Sequence, residues 1–406
     1  MEKTKKAPRL RFPGFTDDWE QRKLDSLCDV FTDGDWIESK DQSESGIRLV
    51  QTGNVGTTEY LDKENNKKWI SEETFEKLHC EEIFPGDILI SRLPEPAGRA
   101  CIIPDLGTRM ITAVDCTIVR TKPEYESEYL VQYLSTPMYF KAVNLFLGGG
   151  TRQRISRGNL SGIDVPMPPT FEEQEKVGGF LTNLDNLIAL HQCKLDTIKQ
   201  YKQGMLQKMF PKEGKTVPEI RFPGFTGDWE QRKLGDYVTI VSGDAPSKFD
   251  EGSELYVKVD DLNYNPKYII DSQSKVAIHK SIKKAPRGSV VFPKRGAAIM
   301  TNKVRILAED SYMDTNMMAL SSDKIDSEFL YNFISKEGLY KIADTSTIPQ
   351  INNKHIEPYV VLLPELDEQI KIGEFFAGVD NLITLHQRKL DQIKRYKQGL
   401  LQKMFI

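Results

Sequence analysis

The sequence predicts an α+β chain: two mixed α/β domains in tandem, joined by two long repeated helices that pack on each other as a coiled coil. Three observations predict it. Two nearly identical opening blocks stand 210 residues apart. Two nearly identical closing blocks of helical period stand 195 apart. Between them lie bodies built of turns and short apolar strands.

The opening block Arg11–Leu24 reads RFPGFTDDWEQRKL. It returns at Arg221–Leu234 as RFPGFTGDWEQRKL, with 13 of 14 positions identical. The closing block Asp185–Phe210, DNLIALHQCKLDTIKQYKQGMLQKMF, returns at Asp380–Phe405 with 21 of 26 identical. The offsets differ by 15 (210 − 195), so the first half carries about 15 more residues between its blocks. Weaker echoes lie between: Ser127–Leu130 with Ser327–Leu330, Ile155–Leu160 with Ile351–Ile356, and Glu173-Gln174 with Glu368-Gln369. A period this far above the 20–50 residues of a stacked solenoid marks a duplicated domain with its connector. The bodies have drifted apart while the ends have not.

The closing blocks carry the stripe of an amphipathic helix. Leu184, Leu187, Ile188, Leu195, Ile198, Met205, Leu206 and Met209 recur at spacings of three and four. So do Val379, Leu382, Ile383, Leu390, Ile393, Leu400, Leu401 and Met404. Prolines at Pro166, Pro168, Pro169 and Pro364 set the starts near Glu172 and Asp367. A continuous helix of 38 residues (172 to 209) spans about 57 Å. Two such stripes must be buried, and packing them on each other is the simplest solution. The residues assigned to that seam are Ile188, Leu195, Ile198 and Met205 on one helix, and Ile383, Leu390, Ile393 and Leu400 on the other. His191 and His386 fit polar positions along it.

The bodies read as turns feeding strands. Pro85-Gly86-Asp87 leads into Ile88–Ser91, and Pro286–Ser289 into Val290–Phe292. Ala100–Pro104, Thr117–Arg120, Leu255–Val259 and Met317–Leu320 are further strands, and Ser127–Leu134 and Ser327–Ile334 are short helices. Pro211–Glu219 is a polar linker. The organisation that follows is an N-terminal segment (1–20), a first body (21–169), a central long helix (170–210), a linker with the second opening block (211–230), a second body (231–364) and a C-terminal long helix (365–406).

Composition excludes several classes. With 39% hydrophobic and 28% charged residues, the chain can bury real cores and is neither fibrous nor a disordered tail. No apolar run approaches the roughly 18 residues of a membrane span, and no signal-type leader is evident. The five cysteines are scattered without a C-x-x-C pair and read as reduced thiols of a cytoplasmic protein. The five histidines form no H-x-x-x-H pattern, so no metal site is expected. Gly214-Lys215-Thr216 lacks the earlier glycine of a phosphate loop, because Met209 stands there. Phe146–Gly150 and Asn265–Tyr268 echo methyltransferase motifs. They lie in different halves, and no strand–turn–helix follows the glycines. No nucleophile–base or paired-carboxylate constellation stands out.

The positive signal is charge placement in a chain of net charge −4. Ser272–Ala308 holds nine Lys/Arg and no acid: Lys275, Lys280, Lys283, Lys284, Arg287, Lys294, Arg295, Lys303 and Arg305. Lys141–Ile163 holds four, Lys141, Arg152, Arg154 and Arg157, again with no acid. Local basic patches on an acidic chain point to a polyanion. The glycine-rich loop Gly148–Asn159 adds Gln153 and Asn159 to Arg152, Arg154 and Arg157, side chains able to reach phosphates or base edges. Its counterpart Thr345–Lys354 offers Gln350, Asn352, Asn353 and Lys354. Double-stranded DNA is the expected ligand. A self-contained DNA methyltransferase or nuclease is the alternative, and it would need the methyl-donor pocket or metal-binding carboxylates just found wanting.

The paired RFPGFT-x-DWEQRKL blocks, the paired E-Q segments entering long helices and the twice-used KQG-x-LQKMF ending resemble the specificity subunit of a type I restriction–modification enzyme, across essentially the whole chain. The resemblance implies that the bodies are two target-recognition domains, each reading half of a bipartite, asymmetric target. It implies that the helices pack antiparallel as a ruler, that the molecule is pseudo-twofold symmetric, and that the repeated regions hold two modification subunits. Motor/nuclease restriction subunits complete an ATP-dependent complex. S-adenosylmethionine, ATP and Mg are then expected on those partners, and no catalytic centre or cofactor on this chain. A rigid helix pair suits half-sites about one DNA turn apart, which a flexible linker could not hold. Inserting or removing a helical turn should therefore change the spacer between half-sites and neither half-site, as a map of methylated adenines would show.

Overall fold

The computed structural model describes residues 7–150, 153–345 and 348–405. The chain forms two compact units. One takes the chain up to His191 together with Lys389 onward, and the other is Gln192–Arg388. The division falls inside both long helices rather than at their ends.

In the first unit one sheet has the strand order Cys28–Asp33, Cys116–Thr121, Ile88–Ser91, Ala100–Ile102, all antiparallel. A second sheet runs Lys68–Ile70, Ile47–Val50, Met110–Thr112, Glu82–Ile83, with its middle pair parallel. The run Ile88-Leu89-Ile90 is apolar throughout because both its faces are covered. Ile88 and Ile90 join a core with the helices Ser127–Tyr133 and Pro137–Leu145, while Leu89 joins Val50, Met110 and Ile118 on the other side. Successive strand side chains point to opposite faces, so three consecutive apolar residues serve two cores.

The second unit repeats this plan with different strands. Its larger sheet has the order Thr239–Ser242, Met317–Ser321, Val290–Pro293, Arg305–Leu307, Tyr268–Ile269. Lys275–Val276, Glu251–Val257 and Tyr312–Met313 form the smaller one. Val290 and Phe292 face the helix Ser327–Glu337, and Val291 faces Val257, Ile269 and Met313.

The long helices span Phe171–Met209 and Leu366–Met404, 39 residues each, starting one residue before the expected Glu172 and Asp367. Those acids thus sit in the first turns, where the helix dipole favours them. The E-Q dipeptides tie each helix start to everything near it. Glu173 has a fully buried carboxylate. It accepts both Nε (2.6 Å) and Nη2 (2.8 Å) of Arg11, and also the indole N–H of Trp19 at 3.2 Å. Glu368 accepts Nε and Nη2 of Arg221, each at 2.7 Å. Gln174 accepts the Glu126 N–H and donates to the Pro168 carbonyl; Gln369 does the same with Asp326 and Pro364. The opening strands Glu20–Lys23 and Glu230–Lys233 then pair antiparallel with Asp164–Met167 and Val360–Leu363, the strands that lead into the helices.

Two helix-interior glycines have a packing reason. A Cβ on Gly178 would lie 2.5 Å from the Tyr129 backbone nitrogen, and one on Gly373 would lie 2.4 Å from Asp326 Oδ1. Only glycine lets the N-termini of the short helices seat this closely.

Within each unit the two long helices run antiparallel. In the first, Phe405 packs against Trp19, which bonds Glu173 near the start of the central helix, while Asp185 further along that helix meets Lys397. In the second, Phe210 packs against Phe376, and Lys202 meets Asp380. The far end of each helix thus completes the core beside the near end of the other. The entry to each opening block matches as well. Leu10 N–H donates to the Lys403 carbonyl and Ile220 N–H to that of Lys208, both at 2.9 Å.

Of the seam residues, Leu195, Leu390 and Leu400 are buried, and Ile188, Ile198, Met205, Ile383 and Ile393 are half-buried. Leu187 and Leu382, part of the sequence stripe, are exposed. No helix among the described residues is long and apolar enough to cross a membrane. Glu173→Ala should destabilise the chain by about 3 kcal/mol, because it strands the half-buried Arg11 guanidinium and the buried Trp19 N–H. Denaturant unfolding compared with a surface control, Glu172→Ala, checks this.

Candidate nucleic-acid interface

The first body gathers its candidates where the strand Ile88–Ser91 ends. Arg92, the next residue, is tied to the glycine loop through Ile155 N–H, which donates to its carbonyl at 3.2 Å. The loop closes on itself: Gly148 and Arg154 exchange backbone hydrogen bonds of 3.0 and 2.9 Å. Gly149, with φ +109°, makes the turn that a side chain would strain. Arg154 stays 59% exposed beside Asp115 Oδ1 at 3.3 Å, and Arg157 47% exposed near Asp33. Gln153 and Asn159 are exposed too. Ser156 caps the short helix Arg157–Ser161 by accepting the Asn159 N–H. Phe146, Gly148, Gly149, Arg154, Ser156 and Asn159 line an open pocket of about 250 Å³. Arg152 lies outside the described residues.

The second body builds the same place from other residues. Its strand Val290–Pro293 is followed by Lys294, and Ile351 N–H donates to the Lys294 carbonyl at 2.9 Å. Arg295 bridges to Gln350, and Gly296 N–H donates to the Pro349 carbonyl. Gln350 donates to Asn352 Oδ1 at 3.0 Å, and Asn352 starts the short helix Asn353–Ile356. Arg295, Asn353 and Lys354 are exposed, and Lys294 is half-buried. Burial, reinforced by the neighbouring Arg295 charge, lowers the Lys294 ammonium below the usual lysine range.

Other basic candidates do not join this cluster. Arg305 donates to the Leu262, Asn265 and Val304 carbonyls and so holds the loop before Tyr268; burial lowers its pKa. Lys284 pairs with Glu254, and Lys303 donates to Asn263. Arg287 is exposed but precedes Val290–Pro293, whereas Lys294 follows it. Four strand residues separate them by roughly 13 Å. The acid-free run of the sequence is therefore not acid-free in space, because Glu254 reaches Lys284 and Asp271 reaches Lys275. Arg92 was missed because it stands alone in sequence. Its signal is positional, directly after the strand that matches the one before Lys294. Most of its side chain is buried, bonded to the Val114 carbonyl and 3.4 Å from Asp33.

Among the described residues, no group of three His, Cys, Asp or Glu is gathered to hold a metal. Trp19 and Trp229 are buried, 1% and 2% exposed, and pack on Phe405 and Phe210 respectively, so they anchor the frame.

Two bodies of one plan, each offering cations and amides at the same strand exit, define a duplicated recognition chain. The chain belongs to the type I restriction modification DNA specificity domain family, whose profile matches residues 16–200 and 226–395. It is 23% identical over 407 residues to a putative type I restriction enzyme specificity subunit, MjaX, of Methanocaldococcus jannaschii, covering 95% of this chain and 92% of that one. Its fold is similar to the crystal structure of the type I restriction–modification S subunit from M. genitalium, with a TM-score of 0.66 at 15% identity, covering 98% and 99% of the two chains. A second solved chain, from a study of complex assembly and conformational transition of the type I system, aligns with a TM-score of 0.54 at 17% identity, over 98% and 99%.

The site sorts its cations into two kinds. Arg305→Met should lower thermal stability by removing donors from three carbonyls. Arg295→Ala should leave the melting temperature within error. Paired melting curves of the two variants check the distinction.

Proposed function

We propose that each body reads one half of a bipartite, asymmetric double-stranded DNA target, and that the helix pair sets the spacer. The observation that carries this reading is the matched location of two unlike clusters: Gln153, Arg154, Arg157 and Asn159 in one body, Lys294, Arg295, Gln350 and Asn352 in the other. Different side chains on one scaffold position suit two different half-sites. Arginine can engage a guanine edge through two donors, and amides can pair with adenine. Asn353 and Lys354 stand beside the second cluster as backbone contacts.

Two modification subunits dock on the repeated regions in this reading, and motor/nuclease restriction subunits join them in the cytoplasm. The repeated helices leave the same apolar residues exposed twice: Leu187, Leu190 and Tyr201 on one, Leu382, Leu385 and Tyr396 on the other. Matched exposed apolar residues are what two copies of one partner would cover. The chain supplies recognition and no reacting group. S-adenosylmethionine, ATP and Mg are held by the partners.

The test exchanges residues 25–165 for those of another family member and maps methylated adenines in cells that express the complex. One half-site should change and the other should not; a change in both, or in neither, refutes the modular reading. Within the first body, Arg154→Ala should cost about 1–3 kcal/mol on the cognate sequence if the side chain pairs with a base. A phosphate contact instead weakens all sequences alike and lowers the salt slope by about one unit.

A further inference from the structure

Two half-buried carboxylates stand at equivalent points of the long helices. Asp185 Oδ1 accepts Lys397 Nζ at 2.5 Å, and its Oδ2 accepts the Gln132 amide at 2.8 Å. Asp380 Oδ1 accepts Lys202 Nζ at 2.6 Å, and its Oδ2 accepts Lys267 Nζ at 2.9 Å. Lys202 and Lys397 are equivalent repeat positions, as are Asp185 and Asp380, each pair 195 apart. From the first pair to the second, the central-helix number rises by 17 (185 to 202) and the C-terminal-helix number falls by 17 (397 to 380). Both pairs therefore record one antiparallel register.

The apolar seam alone does not select that register. Its leucines, isoleucines and methionines stand three, four or seven residues apart, so a slipped alignment can still make apolar contact. It does not restore these charges. The Lys397 side chain is 10% exposed and that of Lys202 16%. Burial depresses the Lys397 ammonium, and Asp185 opposes that shift. A slipped pair would leave the buried Lys397 and the half-buried Lys202, Asp185 and Asp380 without these partners, and polar pairs in a helix seam are devices that specify register. Each carboxylate is also gripped by its own body, through Gln132 in one and through Lys267 in the other. Lys267 is itself held by Glu328 at 2.5 Å.

We infer that Asp185–Lys397 and Lys202–Asp380 are the positioning pairs that set the register of the long helices, with Gln132 and Lys267 seating each body on the registered helix. The inference rests on the bipartite reading above for its consequence on DNA: a slip of one helical turn, roughly 5.4 Å, amounts to about one to two base pairs at about 3.4 Å each.

The experiment uses the full chain with Asp185→Lys, Lys397→Asp, the two combined, and the conservative Asp380→Asn. Spin labels at the exposed positions 187 and 396, in a Cys193→Ser background, read the register without DNA. Methylation maps of the complexes read the spacer. Each single reversal should shift or broaden the label distance and change the spacer by one to two base pairs with both half-sites intact. The combined swap should restore the parental distance and the parental spacer, and Asp380→Asn should broaden the distance with less loss of folding. Single reversals that lower the melting temperature yet keep the parental distance, or a swap that fails to restore it, overturn the inference. A parental map that is not bipartite refutes the recognition reading instead, and the label distances still decide the register.

Discussion

The structure depends on one interaction made twice: a buried glutamate at the start of a long helix, held by an arginine from an opening block. Glu173 takes two N–H groups of Arg11, and Glu368 two of Arg221. A carboxylate this deeply buried is unfavourable without its cation and well supported with it. Satisfying it fixes where the opening block lies, and the block carries the strand that pairs with the residues entering the helix. The adjacent glutamine completes the joint by bonding the first turn of the body's short helix. Four elements thus meet around two side chains. That explains why RFPGF and E-Q recur as a set: neither motif is useful without the other.

A frame of this kind frees the bodies. In one unit the sheets have four and four strands, in the other five and three. Yet in both, a strand that follows a Pro-Gly or Pro-Arg-Gly turn is covered on its two faces, and the residue at its exit is bonded to the loop before the last short helix. Side chains at that exit can change without disturbing the core, because their neighbours are held by backbone hydrogen bonds. The Ile155-to-Arg92 and Ile351-to-Lys294 bonds exemplify this. In the proposed reading, recognition at this position gains from divergence, whereas the frame loses from it.

The helices, the repeated blocks and several strands were legible because local periodicity and self-similarity encode them. The central joint was legible only as a repeated pattern: Arg11 and Glu173 lie 162 residues apart, and no local rule joins them. Gly178 and Gly373 look like helix-weakening residues until the close approach of a second backbone is seen. Charge was the least legible. A run of nine cations suggests one surface, but the fold brings Glu254 to it, Asp271 flanks it and pairs locally with Lys275, Arg305 turns inward to carbonyls, and strand direction separates Arg287 from Lys294. A one-dimensional window counts charges without knowing which end of a strand they occupy.

The apolar stripe carries a similar lesson about excess. The sequence places more apolar residues on each long helix than its packing within a unit buries, and Leu187, Leu190, Leu382 and Leu385 remain between 43% and 59% exposed. A helix needing only its own core would gain solubility from polar residues there. The same four leucines fall at positions 195 apart, in blocks where 21 of 26 residues match. Burial in the described structure explains the sameness of Leu195 and Leu390 but not of these. Duplicated surface demands a duplicated cause, and in the proposed reading that cause is a partner bound twice. The frame is then kept alike by two pressures acting on neighbouring faces of one helix: an inward one from the buried joints, and an outward one from what docks.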